Sequence, residues 1–429
     1  MDDAGGTFGM TRTKGGVDGK FHVLPSGEER AGANSSFAGL RVAVIHYWLV
    51  NMRGGERVLE EILALFPQAD VFTHVADPKN LSPEILNHKI SETFIAKLPF
   101  ARRHYAKYLA LMPRALEEID LSGYDLVISS ESGPAKGVIV PPGTVHVCYC
   151  HSPMRYLWDQ YKSYGNRLGW LQRYFFQYIA HDLRQWDVLS ATQVDAFAAN
   201  SFFVAERIKR YYRRESQVIH PPVNLNAYNP PSSGTRSDFL FVSELVSYKR
   251  ADIAIEACSE LGVPLVVVGA GPERKALQRK AGPSIRFAGR VSDAELATLY
   301  GAARALIFPA LEDFGIVPLE AMACGTPVIA YGKGGARDSV VDGKTGLLFN
   351  EQSMASLVRA IRRFESDETQ FDHAAIARHA ARFSPEVFRQ RFSALVASTL
   401  NRARSGVVPG LERAPEALDH VTPRTARMD

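Results

Sequence analysis

A chain of 429 residues, 46% hydrophobic and 22% charged, exceeds one comfortable core and carries enough apolar material for two, so two domains of about 180 residues each are expected. A net charge of +4 is too small to imply nucleic-acid binding, and no interleaved basic and aromatic sheet motif supports it. Four cysteines (Cys148, Cys150, Cys258 and Cys324) without a C-x-x-C pair give no disulfide framework and suit a reducing compartment. No run reaches the roughly 20 apolar residues of a membrane span. Residues 1–39, rich in Gly, Asp and Lys and lacking a signal-peptide core, read as a disordered leader, so the expected location is the cytoplasm.

The first half, residues 40–225, opens with a buried strand over 41–46, the loop N-M-R-G-G-E-R and a helix over 56–65. Gly54 and Gly55 follow a strand and precede a helix, so they allow close approach of backbone to a ligand; the plain alternative is a helix start with no ligand. Further strands are expected over 70–74, 126–129 and 145–150. Between them, Phe94 to Ala115 carries Lys97, Arg102, Arg103, Lys107 and Arg114 and no acid, interleaved with Phe94, Phe100, Tyr105, Tyr108 and Leu109. Such a segment suits an anionic inner-leaflet surface; it also suits a helix pair with one solvated face, since Pro99 and Pro113 divide it. His151 closes the strand over 145–150. Cys148, Cys150 and His151 make a poor zinc site, because a strand points the cysteines one way and the histidine the other.

A Pro- and Asn-rich passage from His220 to Thr235 has linker composition and leads into the second half, 226–385. Strands over 239–243, 265–268, 285–288, 305–309 and 327–330 alternate with helices over 251–261, after Pro272, over 293–303 and over 315–324. That alternation predicts a parallel sheet covered on both faces, once in each half. Gly269 and Gly271 imitate a dinucleotide fingerprint, but Arg274 replaces its third glycine, so they read as a tight turn. In E-D-F-G-I-V-P-L-E, Glu312 falls in the loop after a strand and Glu320 within the following helix. The amides of Gly315, Ile316 and Val317 between them suit phosphate, and the carboxylates suit sugar hydroxyls. A nucleotide-sugar satisfies both. A helix over 386–405 and a disordered tail over 406–429 complete the chain.

The E-x7-E pair, followed by A-M-A-C-G-T-P-V-I-A and G-G-A-R-D-S-V-V-D-G-K-T-G-L-L-F, closely resembles the C-terminal domain of glycosyltransferase family 4, retaining enzymes of the two-Rossmann-domain (GT-B) architecture. The string H-S-P-M-R-Y-L-W-D resembles a mannosyltransferase branch that builds bacterial O-antigen or exopolysaccharide. The resemblance spans roughly residues 40–400 and implies an α/β fold of two facing domains. The first would hold a glycan or lipid-linked acceptor, the second the nucleotide-sugar, and the C-terminal helix would cross back to the first. It implies that His151 lies beside the donor sugar, Lys249 and the amides after Gly315 hold phosphate, Glu312 holds sugar hydroxyls and Glu320 the ribose. Gly54, Gly55, Gly271, Arg290 and Val291 would line the donor site. No cofactor and no metal is implied, and GDP-mannose is the implied donor. One position departs: Glu244 stands where many members carry arginine. Either Arg250 or another cation compensates, or the register differs, or the diphosphate grip is weak, or the chain binds without turnover. An epimerase or a phosphorylase of the same architecture remains a rival, and an NAD-dependent enzyme a distant one.

Overall fold

Short runs rich in Val, Ile, Leu and Ala become the strands of two parallel sheets, the inner strands buried on both faces and the edge strands partly exposed. The structure is a computed structural model that describes residues 37–166, 168–228 and 236–405. The expected tail over 406–429 lies outside the described residues, as does the expected leader as far as residue 36. The last residues of that leader are corrected: Phe37 is buried, its ring centroid 5.1 Å from that of Phe66, because an aromatic side chain there can cover the end of the first core.

The first sheet contains β1 (Val42–His46), β2 (Asp70–Thr73), β3 (Ile90–Glu92), β4 (Leu126–Glu131), β5 (Val145–Cys150), β6 (Ala196–Ala199) and β7 (Gln217–Val218). Their order is β3-β2-β1-β4-β5-β6-β7. The second contains β8 (Asp238–Val242), β9 (Leu265–Val268), β10 (Ile285–Gly289), β11 (Ala303–Phe308), β12 (Val328–Tyr331) and β13 (Gly346–Phe349), in the order β10-β9-β8-β11-β12-β13. Each sheet reverses its winding at one place, between β1 and β4 and between β8 and β11. The loops leaving the carboxyl ends of those four strands therefore frame the crevices where open α/β sheets hold ligands.

The helices that bear on function are α1 (Gly54–Leu65), α2 (Trp170–Thr192), α3 (Phe202–Tyr212), α4 (Ala251–Leu261), α5 (Arg274–Lys280), α6 (Asp293–Ala302), α7 (Val317–Ala323), α8 (Met354–Asp367) and α9 (Pro385–Arg404). The helix expected from Gly315 starts two residues later, because Gly315 adopts φ +88°. A Cβ there would lie 2.9 Å from the Phe308 ring, so only glycine makes this turn. α9 starts where Ser384 Oγ accepts the Val387 N–H and Pro385 takes the first helical position. Its Phe388, Phe392, Leu395, Val396 and Leu400 then enter the core of the first domain, where Phe388 and Phe392 meet the Tyr149 ring. Each such burial stabilises by about 1.5–3 kcal/mol, which ties the end of the chain to its beginning.

Candidate active site

Two loops at the switch point of the second sheet bring a cation and a carboxylate together. After β8 the chain turns through 243–250, and Lys249 reaches Glu312 in the loop after β11, with Nζ 2.5 Å from Oε1. The loop holding Glu312 is fixed from behind by Gly334 and Gly335. A Cβ on Gly334 would meet the Glu312 carbonyl oxygen at 2.4 Å, one on Gly335 would meet Phe314 Cα at 2.2 Å, and the Gly335 N–H donates to that same carbonyl at 2.9 Å. The sequence reading quoted this Gly-Gly pair without giving it a role. The two glycines let one backbone lie directly on another, so the carboxylate stands on a rigid platform.

Glu320, in the first turn of α7, is half-buried and accepts from the Tyr300 hydroxyl at 2.9 Å and from the Tyr228 hydroxyl. Burial pushes its carboxyl above the usual range while the two hydroxyls oppose that shift. The amides of Gly315, Ile316 and Val317 precede or open α7 and have no helical carbonyl behind them.

A cleft of about 390 Å³ is lined by Arg53, Val242, Ser243, Glu244, Val268, Gly269, Ala270 and Arg290. Glu244 thus shares its cleft with two guanidinium groups, one from each domain. Arg250 is not among the residues that line this cleft; it adopts φ 58° and its guanidinium donates to Asp252, Nη2 lying 3.0 Å from Oδ2. Gly269 and Gly271 work on backbone packing. Cβ atoms on them would meet Ser243 O at 1.8 Å and Leu245 O at 2.3 Å, so the turn that resembles a dinucleotide fingerprint is what lets the loops after β8 and β9 touch. Val291 packs on the second core beside Arg290. Arg53 was missed by sequence reading; its only signal is that it precedes Gly54 at the start of α1, where its N–H donates to Glu56 Oε2 at 3.0 Å.

The first domain meets this site at α1 and β5. A Cβ on Gly54 would approach Ile316 Cδ1 to 3.0 Å, and one on Gly55 would lie 2.7 Å from Tyr47 Oη and 3.8 Å from His151 Nε2. Gly54, Gly55, Ile316 and His151 therefore converge across the domain boundary. His151 Nε2 and Ser130 Oγ are 2.9 Å apart, and burial together with His46 lowers the ring to about 3, so it is neutral at ordinary pH. Cys148 and Cys150 are buried in a separate apolar cluster that does not include His151, and no group of three potential metal ligands occurs among the described residues.

Asp313, next to Glu312, binds the loop that follows His151. Its Oδ1 accepts from Arg155 at 2.5 Å and from Arg207 of α3 at 2.9 Å, and Arg207 also reaches Asp159 at 2.6 Å and Ser152 Oγ at 2.9 Å. Ser201 Oγ donates to the Asp313 carbonyl at 2.5 Å. Both ends of the H-S-P-M-R-Y-L-W-D string are thereby clamped to the Glu312 loop. Sequence reading missed this clamp because Arg207 and Asp313 lie 106 positions apart.

Comparison with known proteins agrees with the two-sheet division. The model of Glycosyltransferase Family 4 matches residues 52–227, and that of Glycosyl transferases group 1 matches residues 228–382. A D-inositol 3-phosphate glycosyltransferase of Streptomyces avermitilis is 32% identical over 226 residues, 44% of this chain and 48% of the relative. One from Mycobacterium tuberculosis is 31% identical over 195 residues, 39% of this chain and 41% of the relative. The chain thus spans about half the length of the curated relatives it matches. Among solved structures, Anabaena HepE in complex with UDP superposes with a TM-score of 0.60 at 18% identity, covering 84% of this chain and 100% of the other. Sucrose-phosphate synthase from Thermosynechococcus elongatus gives 0.62 at 18%, covering 84% and 99%. The two family models thus meet end to end, one on each sheet, and the likeness to the solved structures gives this chain the two-domain GT-B architecture.

Proposed function

We propose that this protein transfers a sugar from a nucleoside-diphosphate donor to a hydroxyl of a lipid-linked or polysaccharide acceptor in cell-surface or exopolysaccharide synthesis, retaining the anomeric configuration. The observation that supports the proposal is that Lys249 pairs with Glu312 in the loop leading to α7, while Gly54 of the first domain lies against Ile316 of that loop and its neighbour Gly55 against His151. In this reading the bond from the anomeric carbon to the phosphate oxygen breaks, and its electron pair leaves with the nucleoside diphosphate. The acceptor oxygen bonds the anomeric carbon on the same face, and its proton passes to the leaving phosphate oxygen, so no protein nucleophile is used. Lys249 and the amides of Gly315, Ile316 and Val317 stabilise the charge that collects on phosphate, where one such donor contributes about 10²–10³ in rate. Glu312 holds sugar hydroxyls and Glu320 the ribose. With Nε2 tied to Ser130, the neutral His151 offers Nδ1 to the sugar. Fixed cations and amides make the reaction metal-independent and cofactor-free.

The names of the relatives support glycosyl transfer, and the UDP bound by HepE supports a nucleotide donor. Mannose rests on the resemblance of H-S-P-M-R-Y-L-W-D alone. A second reading, donor binding without turnover, is favoured by Glu244 in the cleft, where it would repel phosphate unless Arg53 and Arg290 outweigh it.

Calorimetry of the purified protein against GDP-mannose, UDP-glucose, UDP-N-acetylglucosamine and NAD, with Glu320→Ala alongside, tests the donor. GDP-mannose binding that weakens in the variant is expected and is followed by acceptor assays with and without chelator. Silence toward every nucleotide-sugar overturns the transferase reading, and binding with no product on any acceptor favours the second one.

A further inference from the structure

Of the interleaved aromatic residues of the basic segment, Phe100 is 79% exposed and the others pack inward, so they form no continuous apolar face. Phe94, Tyr105, Tyr108 and Leu109 are packed inward, Tyr105 against Trp48 with centroids 4.6 Å apart, whereas Lys97, Arg102, Arg103 and Lys107 are exposed. The exposed apolar face lies next door on α2. Trp170, Tyr174 and Tyr178 are 82%, 67% and 69% exposed, and Leu171 and Phe175 are also exposed. At 100° per residue these five side chains form one stripe, on the side of the helix away from Phe176, Ile179, Ala180 and Leu183, which hold α2 to the domain.

We propose that this stripe of α2, with the basic segment 94–115 beside it, docks the protein on an anionic phospholipid bilayer. Three observations select a lipid surface as the occupant. The stripe is built from Trp, Tyr and Phe, whose apolar bodies and polar tips suit the zone between headgroups and acyl chains. Lys162 and Arg173 flank the stripe and no acid lies between Asp159 and Asp182, so its charge complements anionic headgroups. Leu109 of the basic segment packs in the same cluster as Phe176 and Ile179 of α2, which makes the cationic and aromatic surfaces neighbours. No helix among the described residues is long and apolar enough to cross a membrane, so α2 lies in the interface plane. The proposal rests on the lipid-linked acceptor reading for its purpose, and on these residues alone for its geometry.

The test is co-sedimentation of the full chain, without nucleotide, with vesicles of phosphatidylcholine alone or with about one-third phosphatidylglycerol. The protein is expected to partition onto the anionic vesicles, each basic side chain at the surface adding about fivefold. The triple variant Trp170→Ser, Phe175→Ser, Tyr178→Ser should lose at least about tenfold of that partitioning while keeping its melting temperature, since these side chains are exposed. GDP-mannose calorimetry on the same variant separates this proposal from the donor reading. Equal sedimentation of wild type and variant overturns the proposal, as does failure of wild type to bind anionic vesicles. A concentration-dependent dimer that the triple substitution disperses would also overturn it, assigning the face to a second copy of this chain.

Discussion

β4, beside β1 in the first sheet, ends in Glu131, and β11, beside β8 in the second, runs into the loop of Glu312. Each carboxylate takes a lysine: Glu131 meets Lys136 at 3.0 Å and Glu312 meets Lys249 at 2.5 Å. Their surroundings differ. Lys136 is wholly buried and also pairs with Asp187, which accepts from Trp158 Nε1 at 2.8 Å and Tyr212 Oη at 3.0 Å. Lys249 and Glu312 keep 18% and 22% of their side-chain surface exposed. The pair in the first domain is therefore closed in by the chain's own side chains and stabilises the structure. The second remains open, and a partly exposed pair contributes at most about 1 kcal/mol, so a donor's phosphates and hydroxyls can separate it at little cost.

Breaking the closed cluster should have the largest effect. Lys136→Met strands two buried carboxylates and should cost about 3–5 kcal/mol in chemical denaturation. Glu131→Gln should cost much less, because one lysine then faces one carboxylate. The cluster also predicts a pH dependence. Burial, seconded by Asp187 and opposed by Lys136, pushes Glu131 up to about 7 from an ordinary 4.5. A carboxyl raised in the folded state adds stability below its unfolded value, and that contribution is lost as pH rises through its folded value. Wild type should therefore lose more melting temperature than Glu131→Gln between about pH 5 and about pH 8.

At the open site the fold should survive and the chemistry should not. Lys249→Ala is expected to lower kcat about 10²–10³-fold with an unchanged melting temperature, because the cation acts on charge that develops only as the phosphate leaves. An equal loss of stability and activity would put Lys249 in the same structural class as Lys136. Next in size, Asp313→Asn weakens the clamp that joins the Glu312 loop to Arg155 and Arg207. About a tenfold loss in kcat/KM is expected, with partial recovery in Asp313→Glu, since misplacing a positioned group by about an ångström is costly.

What could be read in the sequence was local. Strand, loop and helix follow within a few residues of Glu312, and their apolar runs mark them directly, so the Rossmann-like halves and the E-x7-E station were legible. The limits of the expected strands moved by at most two residues, β4 and β11 the most, while β3, β6, β7 and β13 were not expected. The long-range contacts were not legible. Arg207 reaches Asp313 across 106 positions, and Lys136 reaches Asp187 across 51, with no periodicity to announce either. α2 went unread for a different reason: aromatic residues on both its faces hide the alternation of core and solvent that marks a helix.

The smallest effect, and the one that bears most on whether the open crevice is a working one, is expected at Glu244. Its carboxylate shares a cleft with Arg53 and Arg290, and Arg250, six positions on in sequence, pairs with Asp252. If two guanidinium groups already outweigh one carboxylate, Glu244→Arg should tighten nucleotide-sugar binding only about three- to tenfold, the value of one partly screened charge at a surface cleft, and leave kcat nearly unchanged. Titration of wild type and variant at low and high salt measures this, since the gain should shrink as salt screens it. A gain of several hundredfold, or turnover that appears only in the variant, would instead mean that Glu244 holds the site shut toward diphosphate, and that the contrast between a closed-in and an open pair is one of degree.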